Sequence, residues 1–426
     1  MALISDQRIV LLEIAMEFST SAIALNEIID HFYLNRVDQK IKNKRSETKY
    51  ILSTFCRKLF ELDNIIDQLT DKKISPRNII VRNCIRIALI ELIDLKHPDY
   101  AVINSWVEIA KKRKRLFHFS KFINAILRKF IKNNIKSNLS EKEKIPNWLW
   151  QSWEKHFGEK TSIKIIKSSL TEPPLDITYK PNFKNINEYS EVLPQSLRIF
   201  KPGKIIEIEG YDEGDWWVQD SGATIPVNIF GNINNKKVLD ICSAPGGKSM
   251  QLVSKGANVT CVEISKKRIV IMKQNFDRTK LHPKIVNEDI IKWRTDEKFD
   301  FILIDAPCSA TGTIRKNPDL IHIKDKKDIN SHIDTQKLIL QKASELLIDS
   351  GSIIYCVCSL QAEEGIGQIE HFLSSHNDFE RYKIDAKDYP SYENFITKEG
   401  DIHTLPHLIA DGGIDGFFIS RLHKKY

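Results

Sequence analysis

The sequence predicts a multidomain chain: an all-α helical bundle, a small α/β connector, and a C-terminal α/β domain built on a doubly wound parallel sheet. Three observations carry this reading. Apolar residues recur at helical spacing through roughly the first 135 positions, a polar stretch follows, and beyond it short Val/Ile-rich runs alternate with helical stretches. A length of 426 residues suffices for about two or three domains. With 42% hydrophobic and 28% charged residues the composition is that of an ordinary globular protein, neither fibrous nor generally disordered.

In the bundle, Leu11, Ile14, Ala15 and Phe18 share one helix face. Ser75 followed by Pro76 opens another helix through Arg82, Ile85 and Leu89, and Pro98 closes the region after it. Phe122, Ile126 and Phe130 repeat every four residues behind Ser120, read as an N-cap. Charge is uneven: of a net +8, the first 150 residues carry +10 and the remainder −2. Phosphate neutralisation and counterion release reward clustered Lys and Arg, so the asymmetry favours a nucleic-acid-facing module joined to a nearly neutral catalytic one. Lys111, Lys112, Arg113, Lys114 and Arg115, followed by Phe117 and Phe119, could track a phosphate backbone and stack on bases. A solvated helix end is the alternative.

Residues 132–144, KNNIKSNLSEKEK, form the polar stretch, and the domain limits are read as 1–138, 139–221 and 222–426. The connector has Trp148, Leu149 and Trp153 on a helix, then Pro173 and Pro174, then strand-like pieces at Lys204 to Ile208 and Trp216 to Gln219. At the N-terminus, Asp6, Arg8, Glu13 and Glu17 spoil a signal-peptide core, and no apolar run reaches the length of a membrane helix. A cytoplasmic enzyme or binding protein, with no membrane partner, is expected. Seven cysteines spread over such a chain read as reduced thiols rather than as a disulfide framework.

Beyond residue 221, KKVLDICSA, ANVTCVEIS, PKIVNED, FDFILIDAPCS and GSIIYCVCSL are the strands of the sheet. Ligands of such sheets sit at the carboxyl ends of the strands. The first strand runs into Cys242, Ser243, Ala244, Pro245, Gly246, Gly247 and Lys248. Paired glycines admit a ligand close to the backbone, but the G-x-G-x-x-G spacing of a dinucleotide site is absent, which disfavours a nicotinamide cofactor. Glu263 ends the second strand, where a carboxylate can accept from both hydroxyls of a ribose; Asp289 ends the third and Asp305 the fourth, with Asp240 inside the first. The set suits a ligand with a ribose, an adenine amine and a cationic centre, and S-adenosyl-L-methionine fits that description. For any one of these acids, capping of the following helix is the alternative.

Cys308 follows the fourth strand and Cys358 the next, each where this sheet class presents its active site. Cys56, Cys84 and Cys261 read instead as inert buried thiols. Zinc is disfavoured and no metal is expected, because Cys356-x-Cys358 has neither a second pair nor a nearby histidine set.

Cys-Ser-Ala-Pro-Gly-Gly-Lys at 242–248, Asp-Ala-Pro-Cys-Ser at 305–309, Cys-Ser at 358–359 after Tyr355, and a closing Asp415-Gly-Phe-Phe418 resemble, in order and spacing, the RNA cytosine-5 methyltransferase family. HPDYAVINSWVEIAKK and FINAILRKF look like the NusB-like domain fused to its bacterial 16S ribosomal RNA branch, so the resemblance covers nearly the whole chain. It implies a NusB-like RNA-binding bundle and a Rossmann-like class I S-adenosyl-L-methionine methyltransferase domain. Its partner would be 16S rRNA, free or in an early small-subunit particle, and the enzyme a monomer. The chain departs from the family pattern at Ser243, Ser249 and Glu263, by similar residues, and at Cys356, Val357, Gln361 and Thr178, where a small residue, threonine, proline and arginine are usual.

The resemblance also implies roles. Carbon 5 of cytosine is too poor a nucleophile to take a methyl group until a thiolate adds to carbon 6, and Cys358 would be that thiolate. Cys308 would assist loss of the carbon 5 proton or release of product. Asp305 would hydrogen-bond ring nitrogen 3, and Lys248 would orient the base or stabilise the adduct. An unperturbed thiol near 8.5 is only about 3% ionised at neutral pH, so a neighbouring cation such as Lys248 would help. Cys242, Ser243, Ala244, Pro245, Gly246, Gly247, Lys248, Glu263, Arg268, Asp289 and Asp305 would hold the cofactor. A paired cytosine must leave its stack to meet a thiol, so a hairpin loop or partly unfolded RNA is expected. The competing readings are the same chemistry on another rRNA or a tRNA, and a noncatalytic RNA-binding assembly factor; the intact Cys308 and Cys358 argue against the latter.

Overall fold

The computed structural model describes residues 4, 6–183 and 189–425. The chain forms two compact units, Met1–Gln151 with Asn317–Lys324, and Ser152–Lys316 with Asp325–Tyr426. Compactness thus sets the break after Gln151, and the connector strands fall within the second unit rather than standing alone.

The first unit is helical: α1 (Gln7–Thr20), α2 (Leu25–Asn35), α3 (Arg45–Leu69), α4 (Ile79–Ile93), α5 (Asp99–Lys112), α6 (Ser120–Asn133) and a single late turn, α12 (Leu320–Ile323). Leu11, Ile14, Ala15 and Phe18 are buried together, as their spacing requires, and Trp106 is buried in the same core. Ser120 is not an N-cap: the 3-10 turn Phe117–Phe119 runs straight into α6, so Phe119 takes that position without a side-chain cap. Ser75 likewise makes no side-chain cap, since a 3-10 turn at Pro76–Asn78 precedes α4. The segment Asn317–Lys324 completes this core from far down the chain. Asp319 Oδ2 accepts from the Leu25 backbone N–H at 3.0 Å, and His322 stacks on Phe60 with its Nε2 2.7 Å from the Cys56 carbonyl. Burial pulls the His322 pKa down to about 4.

Of the basic segment, Lys111 and Lys112 end α5, Lys114 and Arg115 are exposed beyond it, and Arg113 pairs with Glu13. Phe117 is 55% exposed, whereas Phe119 packs against the core.

Helix α7 (Asn147–Phe157) carries the chain into the second unit, which continues with α8 (Glu159–Ser169). A small antiparallel sheet follows, β1 (Leu175–Tyr179), β2 (Ser190–Leu193), β3 (Ser196–Ile199) and β4 (Trp216–Val218), in the order β2-β3-β1-β4. The expected strand at Lys204 to Ile208 is instead a 3-10 turn at Ile205–Glu207: Gly203 turns the chain left-handed at φ +63°, and Ile206 stays exposed with no strand to pair.

After α9 (Ser221–Asn228) come β5 (Lys237–Ile241), α10 (Gly247–Ser254), β6 (Asn258–Val262), α11 (Lys266–Thr279), β7 (Lys284–Val286) and β8 (Phe299–Asp305). Then follow α13 (Lys326–Leu346), β9 (Leu347–Val357), α14 (Ile366–Ser375), β10 (Phe379–Arg381), β11 (Ile402–Thr404) and β12 (Phe417–Lys424). The strand order is β10-β12-β9-β8-β5-β6-β7, with β11 beside β12. The five strands from β9 to β7 in this order are parallel, as expected, but β12 runs opposite to them and pairs antiparallel with β9, β10 and β11, so the sheet is mixed. β11 and β12 are joined without a helix, and a parallel pair needs a crossover. Alternate residues feed opposite faces: Ile353, Tyr355 and Val357 enter one apolar cluster, Ile354 and Cys356 the other. Among the described residues no helix is long and apolar enough to cross a membrane.

Candidate active site

The loop from Cys242 to Lys248 leaves β5 at its carboxyl end. Gly246 has φ +100°, and a Cβ there would lie 2.7 Å from the Phe276 ring; at Gly247, which opens α10, it would lie 2.9 Å from Gln219 Oε1. Gly246 is demanded by its backbone and by the Phe276 ring, whereas at Gly247 only the end of the Gln219 side chain would have to shift. Ser243 and Ala244 are buried and Pro245 is exposed.

A cavity of about 320 Å³ opens beyond this loop, lined by Cys242, Glu263, Arg268, Asp289, Asp305, Cys308 and Cys358 with apolar walls from Val262, Ile264 and Ile290. The larger cavity of the helical unit, about 640 Å³, contains none of the residues expected to react. Glu263 is fixed by the Ser265 N–H at 2.9 Å and the Ala244 N–H at 3.3 Å. Arg268 sits 3.3 Å from Glu263 and donates to the Ala244 carbonyl, so its charge on this wall is already paired. Asp289 lies three residues beyond the end of β7, not on it, and accepts from the Ile291 N–H at 3.1 Å. Asp240 is fully buried: Ser249 donates to one oxygen at 2.5 Å while the other has no partner, and burial pushes its pKa up to about 7.

The groups expected to react lie close together. Cys308 Sγ lies 3.5 Å from Cys358 Sγ. Lys248 Nζ, only 8% exposed as a residue, donates to Asp305 Oδ2 at 2.8 Å and lies 5.2 Å from the centre of the Phe417 ring. Burial works against the Lys248 charge, but Asp305 and the thiols of Cys356 and Cys358 outweigh it and raise the amine above the ordinary lysine value. The Cys308 thiol is held well above the ordinary range by its contact with Cys358, then by burial. Burial also drives the Cys242 thiol up to about 12, which disfavours its thiolate. Cys356, on the strand leading to Cys358, is buried, donates to the Ile304 carbonyl at 3.3 Å and sits 3.6 Å from Asp305 Oδ1. Among the described residues no group of three His, Cys, Asp or Glu could hold a metal ion.

Thr335 and Ile339 also line the cavity, from α13. Sequence reasoning missed them, since their only signal is a place on an amphipathic helix. It also missed Glu364, which has no motif of its own beyond following the Cys-Ser pair.

Residues 228–423 match the model of the family described as 16S rRNA methyltransferase RsmB/F, and residues 6–132 match the NusB family. The chain thus joins a NusB-type region to an RsmB/F-type 16S rRNA methyltransferase region. The RsmB/F region runs from the end of α9 into β12 and so contains Lys248, Asp305, Cys308 and Cys358. Ribosomal RNA small subunit methyltransferase B of Photorhabdus laumondii is 28% identical over 96% of the chain and 98% of its own length. The protein of that name from Proteus mirabilis is 29% identical over 84% and 92%. The crystal structure of PH0851 shares the fold across the full length of both chains, with a TM-score of 0.75 at 20% identity. The RsmB/F region, together with these relatives along most of the chain, indicates an rRNA methyltransferase.

Proposed function

We propose that this enzyme transfers a methyl group from S-adenosyl-L-methionine to carbon 5 of a cytidine in small-subunit rRNA, through a covalent bond between Cys358 and carbon 6. The observation that carries the reading is the meeting of two thiols, 3.5 Å apart, in one acid-lined cavity with Asp305, whose carboxylate accepts from the buried Lys248. That cavity fits the cofactor chemically. Glu263 and Asp289 offer acceptors for ribose hydroxyls and an adenine amine, Val262, Ile264 and Ile290 offer apolar walls, and Arg268 is neutralised by Glu263. Bound there, S-adenosyl-L-methionine supplies an electrophilic methyl group and departs as a neutral thioether.

The protein's own groups do the rest. The Cys358 thiolate forms a bond to carbon 6, and the displaced π pair makes carbon 5 electron-rich as ring nitrogen 3 takes a proton passed from the Lys248 ammonium through Asp305, to be returned by the same path on release. Lys248, beside Asp305, balances the charge that builds on this side of the ring. After alkylation a base removes the carbon 5 proton. The C–H pair then forms the carbon 5–carbon 6 double bond, and the sulfur–carbon 6 bond breaks to return the Cys358 thiolate. Cys308, in contact with Cys358 and held as a neutral thiol, is placed to relay a proton in this release. Residues 1–138 would hold the RNA, helped by Lys111 to Arg115, and residues 139–221 would link the two functions in a cytoplasmic monomer without a metal.

Two substitutions test the assignment. Cys358→Ala is expected to abolish methylation with cofactor binding retained, and substantial residual methylation removes its role. Cys308→Ala is expected to trap a protein–RNA adduct, seen as a slow-migrating band under denaturing conditions. Comparing small-subunit rRNA with tRNA as methyl acceptor separates the proposed substrate from the competing one.

A further inference from the structure

Ser309 directly follows Cys308, and Ser359 directly follows Cys358. Both serines converge on one carboxyl group, that of Glu364, which has no exposed surface. Its Oε2 accepts the hydroxyls of Ser309 and Ser359, each at 2.5 Å, and its Oε1 accepts the Ser309 backbone N–H at 2.8 Å and Gln336 Nε2 at 3.4 Å. The two hydroxyl oxygens are themselves 3.1 Å apart, and the Gln361 N–H donates to Ser359 Oγ at 3.0 Å. A second rung lies below, where Tyr355 Oη donates to the Glu364 carbonyl at 2.7 Å. The loops are thus pinned to a shared point one residue away from each sulfur.

A carboxyl group is expensive to bury, and these donors are all neutral, so the arrangement is a costly way to fill space. Its location gives it a use. Strands β8 and β9 fix the backbone up to Asp305 and Val357, and beyond them the Ala306 N–H donates to the Cys356 carbonyl and the Gly312 N–H to the Cys358 carbonyl, each at 3.0 Å. Between these two rungs, among the described residues, Cys308 makes no backbone bond to the Cys358 loop, and side chains set its position. We infer that Glu364 is a positioning residue for the methyl transfer cycle: through Ser309 and Ser359 it holds the Cys308 and Cys358 loops in one register, keeping the release thiol in contact with the nucleophile. Glu364 also lies near enough to Cys308 to add to the upward push on its thiol, which keeps the proton there. The inference rests on the function proposed above.

The test uses the full chain with a small-subunit rRNA transcript and S-adenosyl-L-methionine, following turnover, KM for the cofactor and the fraction of protein in denaturation-stable adduct. Glu364→Gln keeps the shape but replaces one acceptor oxygen by a donor. Turnover is expected to fall roughly 10- to 100-fold, the scale of a displacement of about 1 Å between reacting groups. KM for the cofactor is expected to stay within about twofold, while adduct accumulates as it does for Cys308→Ala. Unchanged turnover overturns the inference, and so does lost turnover without adduct, which marks a merely structural role. Should Glu364→Gln fail to bind cofactor, Ser359→Ala decides, because it removes one donor and leaves the carboxyl group in place: slowed release with adduct supports the staple, and wild-type behaviour refutes it. Absence of adduct from Cys308→Ala itself removes the release assignment, and the staple with it; wild-type activity with an adduct from Cys308→Ala alone removes only the staple.

Discussion

Arg315→Met tests what holds the Cys308 loop to the rest of the catalytic unit. Arg315 is 1% exposed; its Nε donates to Asp415 Oδ1 at 2.7 Å and its Nη2 to Asp220 Oδ2 at 2.6 Å, while Nη1 donates to the Gly412 carbonyl. Removing one partner of a buried ion pair costs about 3–5 kcal/mol, because the charge left behind stays desolvated. Lys316, which also reaches both acids, remains, so the lower end applies, about 3 kcal/mol. At about 2 to 4 °C per kcal/mol for a domain near this size, Tm falls by roughly 6 to 12 °C. The double variant Arg315→Met, Asp415→Asn is expected to recover more than half of that loss, since one stranded acid is gone. Burial alone would raise the Asp220 pKa, but Lys316 and Arg315 hold it well below the ordinary range. A depressed carboxyl contributes stability above its unfolded pKa that is lost as pH falls through the folded value, so the gap between wild type and Arg315→Met narrows below about pH 4. Thermal unfolding followed by circular dichroism at pH 7 and pH 3.5 reads all of this. A Tm within about 2 °C of wild type at pH 7, or no recovery in the double variant, refutes the reasoning.

Three further outcomes are expected. Lys248→Met removes the amine paired with Asp305 and lowers turnover by about 10²–10³-fold, the scale of losing one preorganised electrostatic donor; a loss below about fivefold in single-turnover assays counts against that role. Asp240 has a pKa raised from 3.8 to about 7, so the stability it contributes is present below pH 4 and lost as pH rises through 7. Asp240→Asn should therefore gain Tm relative to wild type between pH 5 and pH 8, with a ceiling of about 4 kcal/mol, and a constant difference across that range contradicts the assignment. Replacing Lys111, Lys112, Lys114 and Arg115 together by glutamine is expected to flatten the salt dependence of rRNA binding, by about 0.7 for each phosphate these side chains neutralise; an unchanged slope means that these cations face solvent only.

The strand-end residues were readable because each follows a short Val/Ile run whose burial is set by composition alone. That logic located Glu263, Asp305, Cys308 and Cys358 around one cavity and placed Asp289 three residues too close to its strand. What escaped was long-range. Glu364 acquires its meaning only when β8 and β9 are neighbours, which brings Ser309 and Ser359 to it from 55 and 5 residues away. The antiparallel edge of β10, β11 and β12 depends on chain reversal across loops that carry no periodicity. Lys204 to Ile208 has strand-forming residues but no strand to pair with, and propensity does not report the absence of a neighbour. Ser120 had the chemistry of a cap, but the turn before it already had the backbone that a cap would provide.

The helical unit is discontinuous in sequence, because Asn317–Lys324 belongs to it. During synthesis, the Leu25 N–H and the Cys56 carbonyl must therefore wait for Asp319 and His322 to emerge from the ribosome, roughly 170 residues after Gln151, or about 10 to 30 s at ordinary elongation rates. The N-terminal third leaves the exit tunnel first yet reaches its final structure only after four of the eight strands of the large sheet, β5 to β8, have been translated. A fragment cut at Gln151 lacks that late turn, so its hydrogen exchange should be fastest around the start of α2 and the middle of α3.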